Sequence, residues 1–296
     1  MDTYGSLLRA LLLDVKLVSK IWFHPTEIDV ERDLLKICCI HDKIKLIVLQ
    51  QTDDNSGCID YLDACYVREV WVSENTTSRS NGETEDIAIL TIEDGLKPTT
   101  LPSKMWTKIM NIKNALLYLR NVDISDLLTI DLINSVHGIV GSGIIESAGN
   151  YRTTHAAAAR TCVVYLPPIC IAGRLQTLVS FVNKSLAAAM GIEMTTVDRL
   201  KLHLRVSTLF FSEFLKIHPF SNGNGRTARL LVNRLMMHVS VVPISIFLDG
   251  RRDTYLKLLG TAQWQQNPDG LAAMFLLSAK RTAIMAEYLL VTDDED

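Results

Sequence analysis

None of the six cysteines (Cys38, Cys39, Cys58, Cys65, Cys162 and Cys170) stands in a C-x-x-C pair, and no zinc-finger spacing occurs. A cysteine metal centre is therefore not expected, and free cysteines set among apolar residues behave as small buried hydrophobes. That usage suits a reducing, cytoplasmic compartment. Positive charge is not in excess. Lys+Arg number 30 against 33 Asp+Glu, a net charge of −3, so nucleic acid is not expected as a main partner. No apolar run is long enough to span a bilayer: "SLLRALLLDVKLV" near the start is interrupted by Arg9, Asp14 and Lys16, and no membrane role is expected. There is no internal repeat, no low-complexity tract, and no G-x-x-x-x-G-K-[ST] phosphate loop.

What is present is an ordinary globular mixture. Of 296 residues, 48% are hydrophobic and 21% charged, enough for one large domain or two small ones with a substantial core. Helical spacing runs over 5–23, where Leu8, Leu11, Leu12, Val15, Leu17 and Val18 make one apolar side. "IKLIVLQ" (44–50) fits either a buried strand or part of a helix. The polar stretch 73–86 has a loop's composition and sets an N-terminal segment apart. Beyond it the chain reads as helical over 104–120 and over 127–140, with Asp126 as a cap. Residues 149–166 have the composition of a hairpin, stopped by Pro167-Pro168. Helices follow at about 172–189, 196–217 and 226–239, and 252–290 is helical again. The predicted class is mainly α with one small β-hairpin. The predicted division is 1–100 as an N-terminal segment, 101–285 as the main domain and 286–296 as an acidic tail.

The chemistry concentrates in "HPFSNGNGRTAR" (218–229). Pro219 ends the preceding helix near His218. The glycines lie just before a new helix, where the backbone can approach a ligand closely. A helix start offers unpaired N–H groups and the positive end of a dipole, which suits phosphate. Arg226 and Arg229, three apart on the first turns, carry guanidinium forks that match phosphate oxygens. His218 stands at the rim, where a neutral imidazole can take a proton. Residue types alone thus point to base-assisted attack on a bound phosphate. His137 and His203, on apolar helices, read as core histidines.

This stretch resembles the signature of the Fic family, H-P-F-x-[DE]-G-N-G-R-x-x-R, at every defined position except Asn222, where the family has an acid. "SAGNYRTTHAAAA" (147–159) resembles the family's flap, and "YLPPICIAGRLQTLVSFVN" (165–183) the helix after it. "KIMNIKNALLYL" (108–119) and "DLINSVHGIV" (131–140) resemble the upstream core helices, so that 104–260 is covered and 1–70 is not. The resemblance implies a Fic-type helical bundle with a β-hairpin flap. It implies an adenylyltransferase that moves AMP from ATP, with Mg2+ or Mn2+, to a Ser, Thr or Tyr hydroxyl of a target protein or of itself. On that reading His218 is the base, and Gly223, Asn224 and Gly225 form a phosphate nest with the Asn224 side chain at the α-phosphate. Arg226 would meet the β-phosphate and Arg229 the γ-phosphate, with Phe220 structural. Tyr255 would lie on the adenine side, and Asn150, Tyr151, Arg152, Thr153 and Thr154 would belong to the flap that holds the target. Asn222 would be a metal ligand weakened by loss of its charge.

Many family members restrain themselves through [ST]-x-x-x-E-[GN], whose Glu pairs with the second signature arginine. Glu74-Asn75 within 70–86 is the candidate here, although Val70 holds the Ser/Thr position; Glu146 in "SGIIES" ranks second. Gly225 stands where the kinase-like branch of the family has lysine. A different phosphate-containing donor, removal of AMP, or a nucleotide-binding module without turnover are the alternatives. The resemblance is compatible with a homodimer.

Overall fold

The computed structural model describes residues 3–18, 28–50, 54–74, 102–123, 127–157, 164–190, 193–240, 242–246 and 252–291. Among these residues there are ten α-helices: α1 (Thr3–Asp14), α2 (Val30–Gln50), α3 (Asp54–Glu74), α4 (Ser103–Asn121), α5 (Ile130–Gly141), α6 (Ile171–Met190), α7 (Thr196–Ile217), α8 (Asn224–Met236), α9 (Arg252–Trp264) and α10 (Asp269–Val291). The one β feature is a single antiparallel bridge between Ala157 and Val164. The fold is mainly α, as the periodicity predicts.

Two helices form the centre. Every side chain of α7 from Val206 to Leu215 is buried, and so is every side chain of α8 from Arg226 to Met236. Burying Phe210, Phe211, Phe214, Leu230, Leu231 and Val232 stabilises this centre by about 1.5–3 kcal/mol per side chain. Helix α8 packs against α7, α5, α4 and α3, so the signature segment begins inside a cage of four helices. Helix α7 starts at Thr195, whose hydroxyl accepts the Asp198 N–H, and stops at His218, before Pro219. The helices of the N-terminal segment share this core: Leu8, Leu34, Ile37, Ile44 and Val67 join the same apolar cluster. Tyr4 donates to Glu213 of α7 at 2.7 Å, and α2 lies along α10.

Several boundaries differ from the sequence reading. The first helix ends at Asp14, and 15–18 are not helical. "IKLIVLQ" is the last part of α2. Helix α3 runs to Glu74, into the start of the polar stretch; residues 75–101 lie outside the described residues. Asp126 also lies outside them, and the cap of α5 is Thr129, whose hydroxyl accepts the Leu132 N–H at 3.0 Å. Helix α8 begins at Asn224 rather than 226, because Gly223 is itself the cap. The segment 252–290 is two helices. Gln266 adopts φ 54°, the Asn267 side chain accepts the Asp269 N–H, and Pro268 precedes the second helix. No helix among the described residues is long and apolar enough to cross a membrane.

Candidate active site

The junction of α7 and α8 carries the site. Its first residue, His218, has φ 52° and ψ 60°, a left-handed backbone that a non-glycine residue adopts at a cost of about 1–2 kcal/mol. This conformation turns the chain away from α7. The His218 ring is half-buried and stacks on Tyr165 of the flap, with centroids 3.8 Å apart and planes 8° from parallel. Its Nδ1 faces the Leu215 carbonyl at 3.4 Å. A proton on Nδ1 satisfies that carbonyl and leaves the Nε2 lone pair as the basic position.

Asn224 closes the loop. Its Oδ1 accepts the Phe220 N–H at 3.0 Å and its Nδ2 donates to the Phe220 carbonyl at 2.8 Å. In this state the amide, 2% exposed, ties 220 to 224 instead of pointing outward. Gly223 then takes φ 79°, and a Cβ there would stand 3.3 Å from Ile145 and 3.5 Å from both the Arg226 guanidinium and His137. Glycine is thus required by conformation and by space. The first helical bond of α8 runs from the Thr227 N–H to the Gly223 carbonyl, which directs the N–H groups of Asn224, Gly225 and Arg226 out of the helix start. Arg226 is buried beside Gly223 and His137. Arg229 is also buried, its guanidinium 5.2 Å from the Tyr255 ring and 5.7 Å from that of Phe211. The loop therefore brings His218, the helix start and both arginines together. Tyr255 is buried and flanks Arg229.

Asn222 is exposed, and its Oδ1 accepts the Gly223 N–H at 2.7 Å. Among the described residues no group of three His, Cys, Asp or Glu side chains gathers as metal ligands. Among the described residues the signature loop thus offers a divalent ion one neutral oxygen, already engaged, so most of the ion's ligands would have to come from bound phosphates.

Phe220 is fully buried, stacked on His137 with centroids 3.6 Å apart and planes 1° from parallel. His137 pins the loop: its Nε2–H donates to the Asn222 carbonyl at 2.9 Å, and its Nδ1 accepts the Gly149 N–H at 2.9 Å. Burial, and secondarily the Arg226 charge, lower its pKa to about 4, against an upward pull from the Asn222 carbonyl. It is a neutral core histidine. His203, bonded to the Leu235 carbonyl at 2.8 Å, is one as well. Of the flap residues, Asn150, Thr153 and Thr154 are exposed, Tyr151 packs near Phe220, and Arg152 is buried. Tyr165 and the pinning function of His137 have no motif in the sequence; only the folded junction brings them to the site.

Residues 127–236 match the Fic/DOC family model. The chain carries a Fic/DOC domain over these residues. A 135-residue stretch, 45% of the chain, is 31% identical to protein adenylyltransferase fic-1 of Caenorhabditis elegans and covers 24% of that protein. A 152-residue stretch, 50% of the chain, is 30% identical to protein adenylyltransferase Fic of Nematostella vectensis and covers 32% of it. The chain thus spans about a quarter to a third of these curated relatives. The solved structure of a Fic domain-containing signaling protein from Bacteroides thetaiotaomicron has a TM-score of 0.68 to this chain, at 20% identity, over 87% of this chain and 98% of that one. The Fic fold therefore extends into the N-terminal helices, well beyond the matched segment.

Helix α3 bears on the Fic site from outside that segment. It packs against α8. Asp63 pairs with Arg120 of α4, Glu69 with Arg281 of α10, and the Ser73 carbonyl accepts from Arg252 of α9. Tyr66 is buried in the field of Arg229; burial, the larger effect, raises its pKa. Val70 is core, and Glu74 closes the helix with its side chain outside the described residues. Glu146 lies in the turn after α5.

Proposed function

We propose that this protein is an adenylyltransferase that moves AMP from ATP to a hydroxyl side chain of a protein. What supports this most is the junction itself: one closed turn joins a histidine whose Nδ1 faces a carbonyl to a helix start bearing two buried arginines. His218 Nε2 takes the proton of the target hydroxyl. The oxygen attacks the α-phosphorus, the bond from that phosphorus to the α–β bridging oxygen breaks, and pyrophosphate leaves. The product is a phosphodiester, and the proton passes from the imidazole to solvent.

The leading N–H groups of α8 and the backbone of Gly223 and Gly225 suit the α-phosphate, and Arg226 and Arg229 suit the β- and γ-phosphates. Tyr255, packed on Arg229, holds that guanidinium and borders the nucleotide side. Mg2+ or Mn2+ would neutralise phosphate charge, with the phosphates supplying most ligands and Asn222 Oδ1 the protein's share. The flap, of which 150–157 and 164–166 are among the described residues, would hold an extended target segment by backbone pairing. Glu74 restrains the reaction by pairing with Arg229; the packing of α3 on α8 supports this.

Asn222 favours one second reading, a nucleotide-binding module with little turnover. ATP labelled at the α- or the γ-phosphate separates the two. Transfer of the α-label alone, dependent on His218, supports AMP transfer; ATP binding with no transfer of either label supports the second reading.

A further inference from the structure

Arg152, part of the flap expected to hold the target, points inward and is 4% exposed. Its Nε donates to the His218 carbonyl at 2.7 Å. Nη1 donates to the Thr154 carbonyl at 2.9 Å, and Nη2 to the Leu166 carbonyl at 2.5 Å and the Ile217 carbonyl at 3.4 Å. Its own backbone N–H donates to the Pro219 carbonyl at 2.9 Å. One residue therefore binds three consecutive carbonyls, 217 to 219, at the exit of α7, together with both arms of the flap. Each of these acceptors is a neutral carbonyl. Such a set suits a planar fork with several divergent donors and does not suit a lysine, whose three donors share one nitrogen.

The strain at His218 gives this clasp its purpose. A left-handed histidine persists only where its surroundings over-determine it. Here the backbone is gripped by Arg152, one face of the imidazole is covered by Tyr165, and Nδ1 is aimed at Leu215. Two of those three restraints come from the flap. Tyr165 is in turn fixed by hairpin register, through its N–H to the Ala156 carbonyl at 3.0 Å and the adjacent 157–164 bridge.

We propose that Arg152 and Tyr165 are positioning residues for the base: Arg152 fastens the His218 backbone to both flap arms, and Tyr165 sets the plane of the imidazole. The flap is then half of the base's mounting as well as an edge for the target. This rests on the reading of His218 as the base.

The test compares Arg152→Lys, Tyr165→Leu and Tyr165→Phe with wild type in the full chain. Three readouts are used: the kcat of AMP transfer, the Kd for ATP, and the imidazole 15N shifts of His218, which report its tautomer. Arg152→Lys and Tyr165→Leu should lower kcat by about ten- to a hundredfold, the usual effect of a misplaced catalytic group, with ATP affinity nearly unchanged. His218 should lose its preference for the Nδ1–H tautomer in both. Tyr165→Phe keeps the ring and should restore both readouts. Unchanged kcat and unchanged tautomer in Arg152→Lys and Tyr165→Leu would overturn the proposal. Should Arg152→Lys fail to fold, the two half-buried Tyr165 variants decide alone. If wild type transfers no AMP, the reading as a transferase fails, and the tautomer still tests the mounting.

Discussion

Asn222 is the residue where this chain leaves the Fic family's pattern. A carboxylate there would offer a metal two charged oxygens; the amide offers one neutral oxygen, which accepts the Gly223 N–H. Restoring the acid, Asn222→Asp, should lower the magnesium concentration for half-maximal transfer by roughly tenfold, equivalent to about 1.4 kcal/mol. An unchanged magnesium dependence would contradict that account. Asn224 and Arg152 carry a second lesson at this scale. The signature assigns Asn224 to a phosphate and the flap assigns Arg152 to a target, yet both side chains here hold backbone. A motif identifies which residues matter, whereas the partner each one finds depends on loop closure, which spacing does not encode.

Among the elements, α3 links the N-terminal segment to the site. It lies on α8 and is tied to α4, α9 and α10 by charged side chains, with Ser73 near its end held by Arg252. Glu74→Gly should raise AMP transfer about tenfold or more, since a Glu–Arg229 pair competes with the γ-phosphate for one guanidinium. Equal rates in the two proteins would remove Glu74 as the brake. Other elements were legible to different degrees. Helix α7 is legible in the sequence at 196–217 because the apolar face and Pro219 mark it; its cap, Thr195, appears only in the structure. The run 44–50 was ambiguous because a short apolar stretch has no period of its own; its packing as the end of α2 settles it. The break within 252–290 was missed, although Asn267 and Pro268 are turn residues, because apolar periodicity continues on both sides.

For the whole molecule, the composition and the signature made the mainly α class legible, but not the union of the N-terminal helices with the Fic core. That union depends on long-range contacts such as Tyr4 to Glu213. The fold also buries histidines in neutral form. His137 and His203 have pKa values lowered to about 4, chiefly by burial, and burial lowers His41 and His238 as well. Unfolding restores the ordinary value near 6.5, so below that pH these four histidines bind more protons in the unfolded chain, outweighing buried Asp63, whose pKa is raised to about 6. Stability should be full above about pH 6.5 and fall steadily as pH drops toward 4, with the decline starting above the carboxylate range. A melting temperature that stays flat from pH 7 to pH 5 would contradict this.

In the proposed mechanism His218 drives AMP transfer from a site built by the α7–α8 junction. The most direct measurement is incorporation of α-labelled ATP into protein by wild type and by His218→Ala, with ATP binding measured for both. Wild type should label, and His218→Ala should lose about a hundred- to ten-thousandfold of that rate while still binding ATP, the range expected on removing a general base. Equal labelling by both proteins would contradict the account.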